Sequence, residues 1–125
     1  MRTLFTVLLA LAAPSATAQT QPQTVDVRLS SFDYSPREIR LRAGQPVVLS
    51  LTNTSGGGHD FSAPDFFASA RILPGGTAAP DRGRIEVPSH QTRTIRLVPA
   101  SGRYRLRCTH TLHSTLGMRG RIIVE

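Results

Sequence analysis

The 125-residue sequence has no lysine, only one cysteine, and no apolar run longer than residues 4–13. A helix that spans a bilayer needs about 20 predominantly apolar residues, so no stable membrane span is expected. A single cysteine, Cys108, also excludes an internal disulfide. The absence of lysine means that every fixed cation of the chain is an arginine.

The charge is strongly basic, with 15 arginines against 8 acidic residues and a net charge of +7. A basic chain raises the question of nucleic-acid binding, but its arginines are scattered singly and form no run. Several of them alternate with apolar residues, as in 39–42 and 103–107, which puts them on the solvated face of strands. We therefore expect a basic surface that suits an acidic partner or an anionic membrane surface, and no nucleic-acid partner.

The first 18 residues have the pattern of a secretion signal. Arg2 supplies a positive start, residues 4–13 are apolar, and Ala16-Thr17-Ala18 supplies the small residues of a cleavage site. We expect cleavage after Ala18, which leaves residues 19–125 as one domain in the periplasm or another exported location. In an oxidising compartment a free thiol is a liability unless it is buried or bound to a metal.

Beyond residue 24 the hydrophobic pattern has a period of two almost everywhere, with glycine and proline between the runs. Short alternating runs of this kind predict an all-β sandwich or barrel. One segment differs: residues 65–71, after Pro64, could form a short helix. The predicted strands are residues 25–29, 38–42, 47–51, 84–87, 92–98, 103–108 and 119–124.

Three side chains that can bind a soft metal fall in one loop between the last two predicted strands: Cys108, His113 and Met118. A thiolate is a soft ligand, an imidazole suits copper, and a thioether prefers monovalent copper. A second imidazole must come from elsewhere, and His59 follows the turn-rich stretch 53–58 at the end of a strand. Two imidazoles, one thiolate and a long axial thioether are typical of blue-copper electron-transfer sites.

These residues resemble those of the cupredoxins over essentially the whole of residues 19–125. The pattern of residues 35–53 is similar to the second and third strands of that fold. The Cys108-x4-His113-x4-Met118 spacing resembles the ligand loops of rusticyanin-like proteins and the mononuclear copper loop of multicopper oxidases. The resemblance implies a Greek-key sandwich or barrel with one copper ion per chain. In it His59 would be the N-terminal ligand, Cys108 the thiolate, His113 the solvent-edge imidazole and Met118 the axial ligand.

The same comparison implies an electron carrier rather than an enzyme. Multicopper oxidases have a histidine on each side of the cysteine, and these histidines reach the three-copper cluster that reduces oxygen. Here the flanking residues are Arg107 and Thr109, which cannot replace them. The expected function is single-electron transfer between Cu(I) and Cu(II) by a monomer. Its redox partner would be a cytochrome, an oxidase or another copper protein.

The residues leave alternatives open. Cys108 could be a buried structural thiol, Met118 a core side chain and His59 a solvated loop residue. His110 is out of register with the family pattern, and we expect it beside the site or at the surface. If His110 were instead a ligand, the protein would be a copper carrier or storage protein with a non-blue site. A domain that has lost its metal and serves in binding is a third possibility, and His90 is expected to be exposed at a turn.

Two further expectations concern the surroundings of the site. Asp60 stands where the family commonly has an asparagine that ties the two ligand loops together, and we expect it to accept a hydrogen bond from Thr109. An apolar collar is expected around His113 at the surface. The side chains predicted to form it are Leu112, Leu116, Phe66 and Phe67.

Overall fold

The computed structural model describes residues 4, 7–15, 21–113 and 115–125. Within these residues, ten strands and one short helix follow one another. They are β1 (Gln23–Ser30), β2 (Asp33–Ser35), β3 (Glu38–Leu41), β4 (Val47–Asn53), β5 (His59–Ser62), α1 (Pro64–Ser69), β6 (Arg71–Leu73), β7 (Arg84–Val87), β8 (Thr92–Val98), β9 (Gly102–Arg107) and β10 (Arg119–Val124).

The strands form two five-stranded sheets. The first has the order β2-β1-β4-β8-β6 and the second the order β3-β10-β9-β5-β7. Most neighbours are antiparallel, but β1 pairs with β4, and β3 with β10, in parallel. The predicted all-β sandwich with one short helix is confirmed.

The core lies between the sheets, and the period-two pattern of the sequence fills it. In β4 the side chains of Val47, Leu49 and Leu51 are buried and alternate with half-buried ones. In β9 Leu106 is buried while the arginines on either side of it are exposed. Alternation of this kind arises because successive side chains of a strand point to opposite faces.

The helix α1 begins at Pro64, whose fixed φ and missing N–H suit the first turn. It buries Phe66 and Phe67 and ends at Ser69, where Ala70 turns to an extended conformation. The helix is thus shorter than the predicted range 65–71. Residue 71 belongs instead to β6, which pairs with β8 at the edge of the first sheet.

The N-terminal segment is described only in part. Residues 7–13 are exposed and have no regular secondary structure, while residues 2 and 16–19, which carry other parts of the predicted signal and cleavage site, lie outside the described residues. Within the described part, no helix is both long and apolar enough to cross a membrane. The secretion signal and its cleavage after Ala18 remain predictions.

Gly83 is required where β7 passes the start of α1. It has a φ of 77°, and a Cβ there would lie 2.5 Å from the Cα of Pro64. Gly44 has a similar φ of 73° but has open space around it. We predict that Gly44→Ala lowers the free energy of unfolding by about 1–2 kcal/mol, the cost of a left-handed backbone alone.

Gly83→Ala should cost clearly more, because the clash with Pro64 adds to the backbone cost. Chemical denaturation of both variants and the wild type measures the difference. Equal losses would contradict the close approach of β7 to α1.

Candidate metal centre

Two separate parts of the sandwich carry the candidate ligands. β5 begins at His59 and lies between β7 and β9 in the second sheet. β9 ends at Arg107 and β10 begins at Arg119, so Cys108 and Met118 are the first and last residues of the loop between them. The sheet therefore brings the start of β5 beside both ends of the loop.

Backbone hydrogen bonds fold the loop back on itself. The amide of Cys108 donates to the carbonyl of Met118 (3.1 Å), and the amide of Met118 donates to the carbonyl of His113 (2.9 Å). The amide of His113 in turn donates to the carbonyl of His110 (3.1 Å). These bonds hold Cys108, His113 and Met118 close together without help from a ligand.

Three donor atoms converge at this point. The Nδ1 atoms of His59 and His113 are 3.0 Å apart, and Cys108 Sγ lies 3.9 Å from the first and 3.4 Å from the second. Met118 completes a His-Cys-His-Met cluster. Cys108 and Met118 are fully buried, and His59 is 3% exposed.

The cluster meets the requirements for one metal ion. Imidazoles and thiolates bind first-row metals such as zinc at about 2.0–2.3 Å, so donors to one ion lie within roughly 4.4 Å of one another. All three measured separations are shorter than that. The donor set, two nitrogens with a thiolate and a thioether nearby, also fits a soft first-row metal.

Burial sets the protonation of the donors. Desolvation lowers the pKa of His59, and the neighbouring His113 lowers it further, so both effects favour its neutral form. Desolvation raises the pKa of the Cys108 thiol. An ion that binds here therefore meets a neutral imidazole and must displace the proton of the thiol.

Asn53 holds the turn that leads to His59. Its buried side-chain amide donates to the carbonyls of Gly57 (2.8 Å) and Val87 (2.9 Å). Its carbonyl oxygen accepts hydrogen bonds from the amide and the hydroxyl of Ser55. This network satisfies the polar atoms of a turn-rich segment that has little apolar surface to pack.

Asp60, next to His59, joins β5 to the loop that carries Cys108. Its buried carboxylate accepts hydrogen bonds from the amide (2.8 Å) and the hydroxyl of Thr109, as expected from the sequence. The guanidinium of Arg84 lies 3.5 Å from the same carboxylate and donates to the Thr109 hydroxyl (3.1 Å). On the backbone side, the buried Tyr34 hydroxyl donates to the carbonyl of Asp60 (2.6 Å).

Tyr34 was not found by sequence reasoning, because nothing in its local pattern indicates a partner 26 residues away.

His110 lies beside the cluster. Its Nε2 is 2.8 Å from a carboxylate oxygen of Glu86, and its ring stacks on that of His113 with a centroid distance of 5.3 Å. It groups with Asp60 and Glu86 rather than with the sulfur atom. His110 therefore lies where we expected it from the sequence, beside the site. His90 is exposed at a turn, as predicted.

The apolar surface around His113 differs in part from the predicted collar. Leu112 and Leu116 are exposed, at 65% and 58%. Phe66 and Phe67 are not part of it, because α1 buries both in the core. Phe32 takes their place: it is 37% exposed, and its ring packs edge-on against His113 with a centroid distance of 5.1 Å.

The structure is thus a two-sheet β-sandwich with a His-Cys-His-Met cluster in which only His113 is partly exposed. The family model described as "Cupredoxin-like domain" matches residues 2–124. The chain therefore belongs to the cupredoxin-like domain family. A search of curated proteins found no match.

Solved structures share the fold at low sequence identity. Reduced auracyanin from Roseiflexus castenholzii is 18% identical, with a TM-score of 0.62, over 85% of this chain and 99% of that one. Auracyanin A, a "blue" copper protein from Chloroflexus aurantiacus, is 19% identical, with a TM-score of 0.58, over 84% and 100%. The McoA multicopper oxidase from Aquifex aeolicus is 16% identical, with a TM-score of 0.65, over 94% of this chain but only 32% of the oxidase.

Proposed function

We propose that this protein is an exported mononuclear copper protein that carries single electrons between redox partners. The observation that carries the proposal is the convergence of His59 Nδ1, His113 Nδ1 and Cys108 Sγ within 3.0–3.9 Å of one another, with Met118 in the same cluster. The auracyanin named above as a "blue" copper protein, which has the same fold, supports copper as the metal.

The protein's part in this function is to keep the donors in one arrangement. When bound, copper supplies a one-electron change between Cu(I) and Cu(II). The sandwich fixes His59 on β5 and encloses Cys108 and Met118, while Asp60 and Thr109 tie the two segments together. A site that does not rearrange between oxidation states favours rapid electron transfer, because little reorganisation accompanies the electron.

The surface around His113 supports brief docking with a redox partner. Phe32, Leu112 and Leu116 form an exposed apolar patch next to this imidazole, and such patches often mark interaction sites. We infer that electrons enter and leave through the edge of His113. A cytochrome, an oxidase or another copper protein would suit this patch, and the chain would act as a monomer.

The residues beside Cys108 support electron carriage without enzymatic activity. Arg107 and Thr109 are not histidines, so neither offers an imidazole to a further copper cluster. The N-terminal pattern of residues 1–18 supports export.

One observation favours a different function, that of a copper carrier or storage protein. His110 and Glu86 bond to each other at the edge of the site, and with Asp60 their ligand atoms lie within 4.8 Å of one another. A cation could be held there without the thiolate. The structure gives less support to a copper carrier, because the Asp60 carboxylate already contacts Thr109 and Arg84 and is not free to bind a cation.

Titration of the chain with Cu(II) distinguishes the two functions. We predict an intense thiolate-to-copper absorption band that saturates at one copper per chain and is lost in Cys108→Ser. Visible and electron-spin-resonance spectra of both proteins provide the measurement, and His90→Gln, which changes an exposed histidine far from the thiol in the chain, is the matched control. Colourless copper binding that survives in Cys108→Ser and is lost in His110→Gln would reject electron transfer and favour a copper carrier or storage protein.

The charge of Asp60 should tune the potential. A buried carboxylate beside the site favours the more positive, oxidised copper, so Asp60→Asn should raise the midpoint potential by roughly tens of millivolts. Asparagine can still accept from the Thr109 amide through its oxygen, and its NH2 can donate to the Thr109 hydroxyl in place of the bond that the carboxylate accepts, so the variant removes the charge and keeps the link between the two segments.

Arg84→Gln is the matched variant, because it removes a positive charge where Asp60→Asn removes a negative one. It removes the cation 3.5 Å from Asp60 and should lower the midpoint potential. Protein-film voltammetry measures both shifts. Shifts of the same sign in the two variants, or no shift in Asp60→Asn, would contradict an electrostatic role for Asp60.

A further inference from the structure

Five exposed arginines share the outer face of two neighbouring strands, and we refer to them as the arginine ladder. They are Arg103, Arg105 and Arg107 of β9 and Arg119 and Arg121 of β10. The register sets Arg105 directly opposite Arg121 and Arg107 directly opposite Arg119. Like charges directly opposite on one face destabilise a sheet, so this arrangement has a cost in folding.

Arginines next to the arginine ladder have carboxylate partners. Arg37 pairs with Asp33 at 2.6 Å. Glu38 of β3 lies opposite Arg121 of β10 in the strand register. Its carboxylate pairs with Arg40 at 2.5 Å rather than with Arg121.

Four members of the arginine ladder contrast with this pattern. Within residues 21–113 and 115–125, no carboxylate lies at ion-pair distance from Arg103, Arg105, Arg107 or Arg121. These four arginines therefore carry a positive charge that no carboxylate of the described residues neutralises.

The arginine ladder runs up to the metal centre. Arg107 directly precedes Cys108, and Arg119 directly follows Met118. A groove of about 520 Å³ lies between the two strands' side chains, lined by Arg105, Arg107, Arg119 and Arg121 among others. A molecule bound in this groove would lie beside the loop that carries the cluster.

We propose that the arginine ladder docks an acidic surface of a partner protein. Guanidinium groups bind carboxylates through two parallel hydrogen bonds, which fixes the orientation of the partner as well as its distance. Alternate arginines of a strand are about 7 Å apart, the same repeat as alternate carboxylates of an extended acidic segment.

The choice of a protein over a nucleic acid or a membrane rests on the proposed function. A partner that exchanges electrons with the metal centre must carry its own redox group to the end of the sandwich. The arginine ladder would hold such a partner by its acidic side while its apolar part meets Phe32, Leu112 and Leu116. Complementary charge of this kind mainly increases the rate of association and sets the orientation.

The test compares two double variants that change the net charge equally. Arg105→Gln/Arg121→Gln removes an opposed pair of the arginine ladder. Arg28→Gln/Arg71→Gln removes two exposed arginines from β1 and β6 of the other sheet. Binding to poly-L-glutamate, polyphosphate and phosphatidylglycerol vesicles is measured at low salt for each variant and the wild type.

We expect the arginine-ladder variant to bind poly-L-glutamate about fivefold to tenfold more weakly, because two exposed ion pairs are lost. The control variant should lose less than twofold. The arginine-ladder variant should also melt at a higher temperature than the wild type, because an opposed pair of like charges is removed. This readout shows that weaker binding does not come from misfolding.

Equal losses of poly-L-glutamate binding in the two double variants would overturn the proposal, since net charge alone would then explain binding. A larger effect of the arginine-ladder variant on polyphosphate or on vesicles than on poly-L-glutamate would also overturn it, in favour of a nucleic acid or a membrane. The same titrations in a Cys108→Ser background separate this proposal from the proposed function. If the arginine-ladder variant still binds poly-L-glutamate more weakly than the control variant in the Cys108→Ser background, the docking proposal stands even where the copper spectra reject the electron carrier.

Discussion

The site depends on a connection between two segments that are far apart in the chain. Asp60 on β5 and Thr109 in the last loop are separated by 49 residues, yet the buried carboxylate accepts two hydrogen bonds from Thr109. Since His59 directly precedes Asp60 and Cys108 directly precedes Thr109, these bonds fix the distance between two of the proposed ligands. A fully buried carboxylate is costly unless it is hydrogen-bonded, and here the neighbouring Arg84 guanidinium, 3.5 Å away, adds a cation to the two bonds from Thr109.

Much of the fold follows from the period of two in the sequence. Strands such as β4 and β8 alternate buried and more exposed residues with turns between them, and their existence is predicted directly from that pattern. β5 was missed, because all four of its residues, His59–Ser62, are buried and three of them are polar, so no alternation marks it. β6 was missed because it is a three-residue edge strand, formed by pairing with β8.

The candidate ligands that are close together in the sequence could be predicted from their spacing. Cys108, His113 and Met118 lie in one loop, whereas His59 is far from that loop in the sequence and was selected because it follows a turn-rich stretch. The contact of Phe32 with His113 and the hydrogen bond of Tyr34 to Asp60 depend on how β2 and the preceding turn meet the second sheet. Such contacts between sheets have no local signature. The same limit explains why Phe66 and Phe67 were predicted at the surface, although α1 buries them.

The protein thus combines a mostly buried His-Cys-His-Met cluster with two different exposed surfaces. The apolar patch of Phe32, Leu112 and Leu116 surrounds His113, and the arginine ladder follows β9 and β10 away from the same loop. The loop between Arg107 and Arg119 carries Leu112 and Leu116, so it belongs to one surface and borders the other in the chain. A partner that recognised both surfaces would be held in a defined orientation relative to the proposed metal centre.

We propose that His59, Cys108 and His113 bind one ion together. The X-ray absorption spectrum of the copper-loaded chain at the copper edge reads out the atoms bound to that ion. We expect one sulfur and two imidazole nitrogens at bonding distance, with the same spectrum in His110→Gln. A shell of nitrogen and oxygen atoms without sulfur, altered in His110→Gln, would contradict it.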